Sequence, residues 1–359
     1  MLYRLLCASL NGPFSSSVIS LTDIGPVGQK IQDIGIPVIA LGMRRGFPDP
    51  RKFVRLVCLL RQLKPQLVQT WMYHADLLGG LAAKAAGDIP IIWSIHHTTL
   101  DTRLDKKNTI LVANVCARLS KWLPKKIVCC SKTTKKIHIS LGYSKQKMVV
   151  IPNGFDLKSF HPDNTARKDL RSELCIPEDA ALIGLVGRFH PQKDHRNFVK
   201  AAEKLNRSYP NVHFLLCGNN ITWDNSDLVA WIDTAGIRGQ CHLLGPRDDM
   251  PTIQGSLDIL ASSSRGEAFP LVIGEAMACG VPCVATNVGD SAYIVGDTGI
   301  IVPPRDPHAL AQAWEKLLSL SLEERIQLGN KARKRIMDNF DLQSVAKKYE
   351  DLWMSVIRS

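Results

Sequence analysis

Short runs of aliphatic and β-branched residues alternate with helix-like stretches along this chain, and the alternation is played out twice. In the first half, strand candidates at residues 37–41, 67–71, 91–95 and 127–130 are separated by helical segments at 51–63, 75–86 and near 109–122. A second set follows, with strands at 181–186, 212–217, 242–244, 259–262 and 282–285 and helices between them. Strand–helix alternation of this kind predicts a doubly wound parallel sheet, and two sets predict two such domains. A chain of 359 residues with 45% apolar content can bury two cores, whereas one undivided core would be unusual at this size. The turn Ile151-Pro152-Asn153-Gly154-Phe155 breaks the rhythm, and the polar stretch to Lys168 reads as a linker. The expected domains are therefore 1–150 and 151–340, with helical segments at 307–318, 322–339 and 342–356 closing the chain.

The opening departs from the pattern. A doubly wound domain starts with a strand, a glycine-rich turn and a helix. Here residues 1–10 already read as helix, with Leu2, Leu5 and Leu6 spaced to form an apolar face. The expectation is a start that lacks its first strand and turn. No apolar run approaches the roughly 20 residues that span a bilayer, and residues 1–7 lack the features of a signal peptide. The ten cysteines are scattered without a C-x-x-C pair, which predicts buried free thiols in a reducing cytoplasm and argues against a zinc site.

Charge is unevenly placed. The net charge is +12, yet residues 1–165 hold 23 Lys and Arg against 9 acidic residues, and the remainder holds 22 against 24. The basic excess concentrates between Arg103 and Lys147, around Lys125-Lys126 and Lys132, Lys135 and Lys136. A solvated helix face and peripheral attraction to an anionic membrane are both consistent with it. Nucleic acid is disfavoured, because the segment has little aromatic interleaving and no binding motif.

The chemistry gathers around two glutamates. Glu267 and Glu275 bracket Ala268-Phe269-Pro270-Leu271-Val272-Ile273-Gly274. Pro270 suits the first helical position and Gly280 the position just past the end. The helix between is almost wholly apolar, so Glu275 is expected to be buried, where a carboxylate is rare unless something pairs with it. Glu267 lies ahead of the helix, where the free N–H groups of Leu271 and Val272 would attract an anion. Such an arrangement suits a ligand carrying both phosphate and hydroxyls. Upstream, Arg188 follows a strand end and Gly187, with Lys193 in the same loop. A forked guanidinium and an ammonium so placed can reach phosphate oxygens.

Together these pieces resemble the retaining glycosyltransferases of family 4, which have the GT-B fold of two facing Rossmann-like domains with a cleft between them. The resemblance rests on Val149-Val150-Ile151-Pro152-Asn153-Gly154, on Gly184-Leu185-Val186-Gly187-Arg188 with Lys193, and on the Glu267–Glu275 pair. Ala276-Met277-Ala278-Cys279-Gly280-Val281-Pro282 and Thr298-Gly299-Ile300-Ile301-Val302-Pro303 complete it. It implies a sugar moved from a nucleotide-diphosphate sugar to an acceptor hydroxyl in cell-surface polysaccharide or glycolipid synthesis. The implied donor set is Gly187, Arg188, Lys193, Glu267, Phe269, Leu271, Val272 and Glu275. Within it, Arg188 and Lys193 would stabilise the leaving diphosphate, Glu275 would hold the ribose and Glu267 would contact the transferred sugar.

On the acceptor side, a carbohydrate or lipid-linked acceptor is implied. His96 falls where the family often has a histidine near the sugar, and His74, His97, Ser131 and Asn153 follow strands by the same pattern. The closing helix, 342–359, would cross back onto the first domain. Two places depart from the commoner pattern: Cys217-Gly218-Asn219-Asn220 has one glycine where G-x-G is frequent, and Gly289-Asp290-Ser291 stands where two glycines are common. No D-x-D triplet occurs, so neither a metal nor any other cofactor is expected and fixed cations would do the work of Mg²⁺. Two rival readings are a non-catalytic nucleotide-sugar-binding protein and a nucleotide-sugar epimerase on the same scaffold.

Overall fold

The computed structural model describes residues 1–44, 49–98 and 106–358. It divides into two compact units, residues 1–154 with 342–359, and residues 155–341. Arg103, where the basic segment opens, lies outside the described residues.

The first unit begins with α1 (Leu2–Ala8), β1 (Val18–Ser20), α2 (Gly25–Asp33), β2 (Val38–Ala40), α3 (Pro50–Leu63) and β3 (Val68–Trp71). It continues through α4 (Tyr73–Gly87), β4 (Ile91–Ile95), α5 (Lys107–Leu119), β5 (Lys126–Cys129), α6 (Lys132–Ser140) and β6 (Met148–Val150). Its strands form two parallel sheets, β1-β2 and β3-β4-β5-β6. Strand β4 is buried along its whole length, which is why Ile91-Ile92-Trp93-Ser94-Ile95 is apolar apart from one serine.

The second unit runs through α7 (Asn164–Glu173), β7 (Ala181–Val186), α8 (His195–Asn206), β8 (Val212–Cys217), α9 (Ser226–Thr234), β9 (Cys241–Leu243), α10 (Met250–Gly255) and β10 (Ile259–Ser262). It ends with α11 (Leu271–Ala278), β11 (Cys283–Thr286), α12 (Ser291–Val295), β12 (Gly299–Val302), α13 (Pro307–Leu318) and α14 (Leu322–Phe340), after which α15 (Leu342–Ile357) rejoins the first unit. The six strands form one parallel sheet in the order β12-β11-β10-β7-β8-β9. Strands β7 and β10 are neighbours at the centre, where the winding reverses direction. A reversal leaves a crevice beyond the carboxyl ends of those two strands.

Three sequence expectations need correction. The stretch read as linker to Lys168 already holds the first half of α7: Asp163 caps the helix by accepting from the Thr165 and Ala166 amides. Arg167 and Arg171 of that helix then reach Asp258 at 2.7 and 3.5 Å. A polar sequence became a docked helix through ion pairs to a residue some 90 positions away. The opening helix is also shorter than residues 1–10, ending at Ala8. Pro270 is the N-cap of α11, one place earlier than its expected position inside the helix.

Helix α11 is seated by one close approach. A Cβ added to Gly274 would lie 2.0 Å from the Phe155 ring. Phe155 is wholly buried and stacks on Phe269 with ring centroids 6.1 Å apart and Phe340 at 6.4 Å. Gly274→Ala should therefore overpack the site and destabilise by about 3 kcal/mol, the upper end for added bulk in a packed core. Chemical denaturation of Gly274→Ala, Phe155→Leu and the double variant checks this, since the combined loss should fall short of the sum. Simple additivity would count against the packing argument.

Candidate functional site

The crevice beyond β7 and β10 is where the candidate donor residues of the second unit meet. Gly187 and Arg188 directly follow β7, and Ser263 to Glu267 directly follow β10. Lys193, at the end of a short 3-10 turn (Pro191–Lys193), extends its Nζ to Glu267 Oε1 at 2.6 Å, and the same oxygen accepts from Ser264 Oγ at 2.8 Å. The pair is largely buried, with side-chain exposures of 22% and 12%. Removing one member of such a pair strands the other's charge.

Backbone hydrogen bonds hold the two loops in register. Arg265 N donates to Gln192 O at 2.7 Å, Gln192 Nε2 to Gly266 O at 2.5 Å, and Ser263 Oγ to Lys193 O at 2.8 Å. Asp194, left-handed at φ 52°, takes a two-pronged bond from Arg265 at 2.7 Å on each arm. Sequence reasoning found Lys193 and Glu267 and missed the clamp of Gln192, Asp194, Ser263, Ser264 and Arg265. The only signal available was adjacency to the residues already singled out.

Glycines permit the crowding. A Cβ on Gly218, whose φ is 148°, would lie 2.4 Å from the Gly187 carbonyl oxygen, so this position after β8 lets the Arg188 loop come close. One on Gly289, at φ 56°, would lie 2.2 Å from the Glu267 carbonyl oxygen. The two motifs that depart from the commoner pattern therefore keep a glycine where contact demands one.

Around this clamp, Arg188 is exposed and has no carboxylate partner among the described residues. No side chain caps α11, so the Leu271 and Val272 amides stay open to an anion. Glu275 is 6% exposed, one helical segment inward, and has an interaction partner within the fold. Phe269 departs from the expected donor set: its ring is 5% exposed and belongs to the aromatic cluster under α11, so it supports the site from below.

In the first unit the other candidates follow successive strands. His74 opens α4 after β3 and is exposed. His96 and His97 follow β4. The His96 ring stacks on Trp71 with centroids 4.7 Å apart at 19°, its Nε2 has no partner, and burial pushes its pKa down to about 3. It is thus a neutral imidazole at any ordinary pH. The His97 ring meets Tyr73 edge-on at 6.2 Å. Ser131 caps α6, accepting from the Thr134 amide at 2.8 Å, and is fully buried, so its hydroxyl is committed to the fold. Asn153, after β6, is 5% exposed with its Oδ1 unpartnered.

His138, which sequence reasoning passed over, lies inside this layer. Its Nδ1 donates to the Thr134 carbonyl at 2.8 Å, so its Nε2 accepts from the Tyr73 hydroxyl at 2.8 Å. The bond to the Thr134 carbonyl works toward the charged ring, but burial outweighs it and lowers the pKa to about 4. In the unfolded chain the ring takes up a proton below about pH 6.5. Stability is therefore complete above that value and is lost as the pH falls from about 6.5 toward about 4. His195, buried and lowered to about 4, acts in the same direction, while buried Asp76, with its pKa raised by burial, opposes it. His138 alone is worth on the order of 3 kcal/mol. Proton NMR should show its ring neutral down to about pH 5, with the thermal midpoint falling between pH 7 and 5; a ring titrating near 6.5 would refute the assignment.

With that geometry in hand, comparison with known proteins is informative. The family model described as Glycosyl transferases group 1 matches residues 166–335, and that described as Glycosyltransferase Family 4 matches residues 6–159. Among relatives, the chain is 25% identical over 316 residues to the Escherichia coli UDP-Gal:alpha-D-GlcNAc-diphosphoundecaprenol alpha-1,3-galactosyltransferase, covering 86% of this chain and 80% of that one. It is 24% identical over 323 residues to the Staphylococcus aureus capsular polysaccharide biosynthesis glycosyltransferase CapM, covering 87% and 82%. Among solved structures, Anabaena Alr3699/HepE in complex with UDP and glucose superposes with a TM-score of 0.85 at 20% identity, covering 98% of this chain and 96% of that one. The two family models account for both units in turn, the fold is GT-B, and the chain belongs to the group 1, family 4 glycosyltransferases.

Proposed function

We propose that this protein is a retaining glycosyltransferase that moves a sugar from a nucleotide-diphosphate donor to a hydroxyl of a carbohydrate or lipid-linked acceptor, in cell-surface polysaccharide or glycolipid synthesis. The observation that carries the reading is the Lys193–Glu267 pair at the crevice beside Arg188 and the uncapped start of α11. The relatives named for a diphosphoundecaprenol-linked acceptor and for capsular polysaccharide support the acceptor class. The neighbour that holds UDP and glucose supports the donor class.

In the reaction, the bond between the anomeric carbon and the diphosphate oxygen breaks and a bond to the acceptor oxygen forms. The acceptor's proton leaves with the nucleoside diphosphate. Negative charge builds on the diphosphate as the first bond stretches, and groups aimed at that charge lower the barrier. Arg188, Lys193 and the Leu271 and Val272 amides are the groups so aimed. A diphosphate reaching Lys193 gives its ammonium a second anion, freeing an oxygen of Glu267 to accept from a sugar hydroxyl. Glu275, deeper along α11, takes the ribose hydroxyls. His96, held neutral and stacked, offers a ring nitrogen to the sugar rather than a charge. Cations of the protein itself take the part that Mg²⁺ has elsewhere, so the reaction needs no metal.

Turnover with a panel of nucleotide sugars and a polyprenyl-diphosphate-linked sugar acceptor tests this reading. Nucleoside diphosphate should be released only with acceptor and equally well in chelator, and the product should keep the donor's anomeric configuration by NMR. Lys193→Ala should lower turnover by at least about a hundredfold with the fold intact. An isomerised sugar formed without acceptor would mark an epimerase. Donor binding without turnover would mark a binding protein.

We also propose peripheral contact with an anionic membrane, on the cytoplasmic side, through the first unit. One stripe of α5 and the turn beyond it exposes Lys107, Leu111, Arg118, Lys121 and Trp122, with Leu111 63% and Trp122 76% exposed. Apolar side chains flanked by lysine and arginine suit insertion at an anionic headgroup layer. Cosedimentation with phosphatidylglycerol-containing vesicles should be strong at low salt, fall steeply with added salt and weaken about tenfold in Trp122→Ala. Absence of binding at low salt would leave the stripe a solvated face.

A further inference from the structure

Between Arg188 and Lys193 the same loop carries a half-buried imidazole, that of His190. His190 precedes the 3-10 turn Pro191–Lys193 and caps it: its Nδ1 accepts from the Gln192 amide at 3.2 Å, and its carbonyl accepts from Lys193 N at 2.9 Å. The capped residue is itself fastened to the opposite loop, since the Gln192 carbonyl accepts from Arg265 N and its side chain donates to Gly266 O. On the other side, Phe189 N donates to Asn219 O at 2.8 Å and ties the backbone to the loop after β8. The ring therefore stands on a base held from two directions.

The cap also fixes the tautomer. A neutral imidazole has one N–H, and with the Nδ1 lone pair engaged the proton sits on Nε2. That N–H has no partner among the described residues. Burial first, then the charges of Arg188 and Lys193, push the ring's pKa below its ordinary value. Both cations therefore act on this ring, and it is neutral around pH 7. Protonation would also cost the cap, because a protonated Nδ1 can no longer accept. Capping by itself does not call for a ring: a short Asn, Asp or Ser side chain accepts from the same amide. What histidine adds is a second nitrogen, a fixed donor beside two cations. The partner that such a group suits is an anion with several acceptor oxygens.

We propose that His190 is a further donor-binding residue, whose Nε2–H donates to a phosphate oxygen of the nucleoside diphosphate gathered by Arg188 and Lys193. The assignment rests on the nucleotide-diphosphate donor proposed above and adds a contact of a different kind. Arg188 and Lys193 act mainly through charge, which falls off slowly with distance and angle. A neutral N–H acts only along its own direction, so it selects one placement of the phosphate. It does so without a third full charge that would hold the leaving diphosphate after the sugar has gone.

Two variants separate the capping nitrogen from the donating one. His190→Asn keeps an acceptor for the Gln192 amide and removes the Nε2–H, whereas His190→Ala removes both. Titration calorimetry with UDP, GDP and ADP measures the dissociation constant without need of turnover, and thermal unfolding reports the fold. His190→Asn should melt close to the unsubstituted protein and His190→Ala below it. Both should bind whichever diphosphate the unsubstituted protein binds about tenfold more weakly, the scale of one hydrogen bond to a charged group. Long-range proton–nitrogen NMR should show the Nε2–H tautomer in the free protein and slowed exchange of that proton with the diphosphate bound. Full affinity in His190→Asn would reduce the histidine to a cap and overturn the proposal. Unchanged affinity in both variants, or a proton on Nδ1, would do the same and leave the donor reading standing. Failure of the unsubstituted protein to bind any of the three diphosphates would instead overturn the donor reading, and this assignment with it.

Discussion

A single ion pair, Lys193 to Glu267, holds together two loops that the chain separates by 74 residues, and the arrangement of the crevice follows from it. Both side chains are mostly shielded, so each charge would be costly alone. The surrounding hydrogen bonds keep the pair's geometry: Ser264 shares the Glu267 oxygen, Arg265 N donates to the Gln192 carbonyl, and the Ser263 and Gln192 side chains donate to backbone carbonyls across the loops. With those loops held, Arg188 and the open amides of α11 face the same space. A diphosphate entering that space meets groups already oriented, and little reorganisation is left to be done as charge develops.

The pair works because the sheet brings its loops together. Strands β7 and β10 lie side by side although about 75 residues separate them, and the winding turns outward from their boundary in both directions. Glycine at 218 and 289 then allows neighbouring loops to close on Arg188 and Glu267 with backbone in contact. On the far side of Glu267, helix α11 is set by Gly274 against Phe155, at the point where the chain enters the second unit. The carboxylates therefore take their positions from steric fits as well as from the ion pair.

How much of this was legible depended on whether the cause was local. Strands β7, β8 and β10 were readable to the residue, because each is a mostly apolar run followed by a glycine or a serine. Strands β1 and β6 were missed although β2 and β9, also three residues each, were seen. The start of helix α7, to Lys168, was read as linker because the helix is held by Asp258, a partner far along the chain. The glutamates, Arg188 and Lys193 stood out as residue types in motif order. The clamp around them is made of ordinary serines, an aspartate and a glutamine, whose roles exist only once two loops meet. Phe269 was misplaced for the same reason: a motif shows that a residue recurs at a position, and only packing shows which way it points.

The two units differ in how their strands are grouped, six in one sheet of the second unit and two plus four among the described residues of the first. The donor-side sheet has six strands in one continuous order, and its crevice residues are fastened from several directions. The other unit carries its polar candidates on loops after β3, β4, β5 and β6, with His96 propped on Trp71 and Trp71 on Tyr349 of α15. Trp71 therefore both supports the neutral ring of His96 and forms part of the strand edge that borders a cleft within the first unit. The edge strand and the His96 imidazole thus share one indole ring.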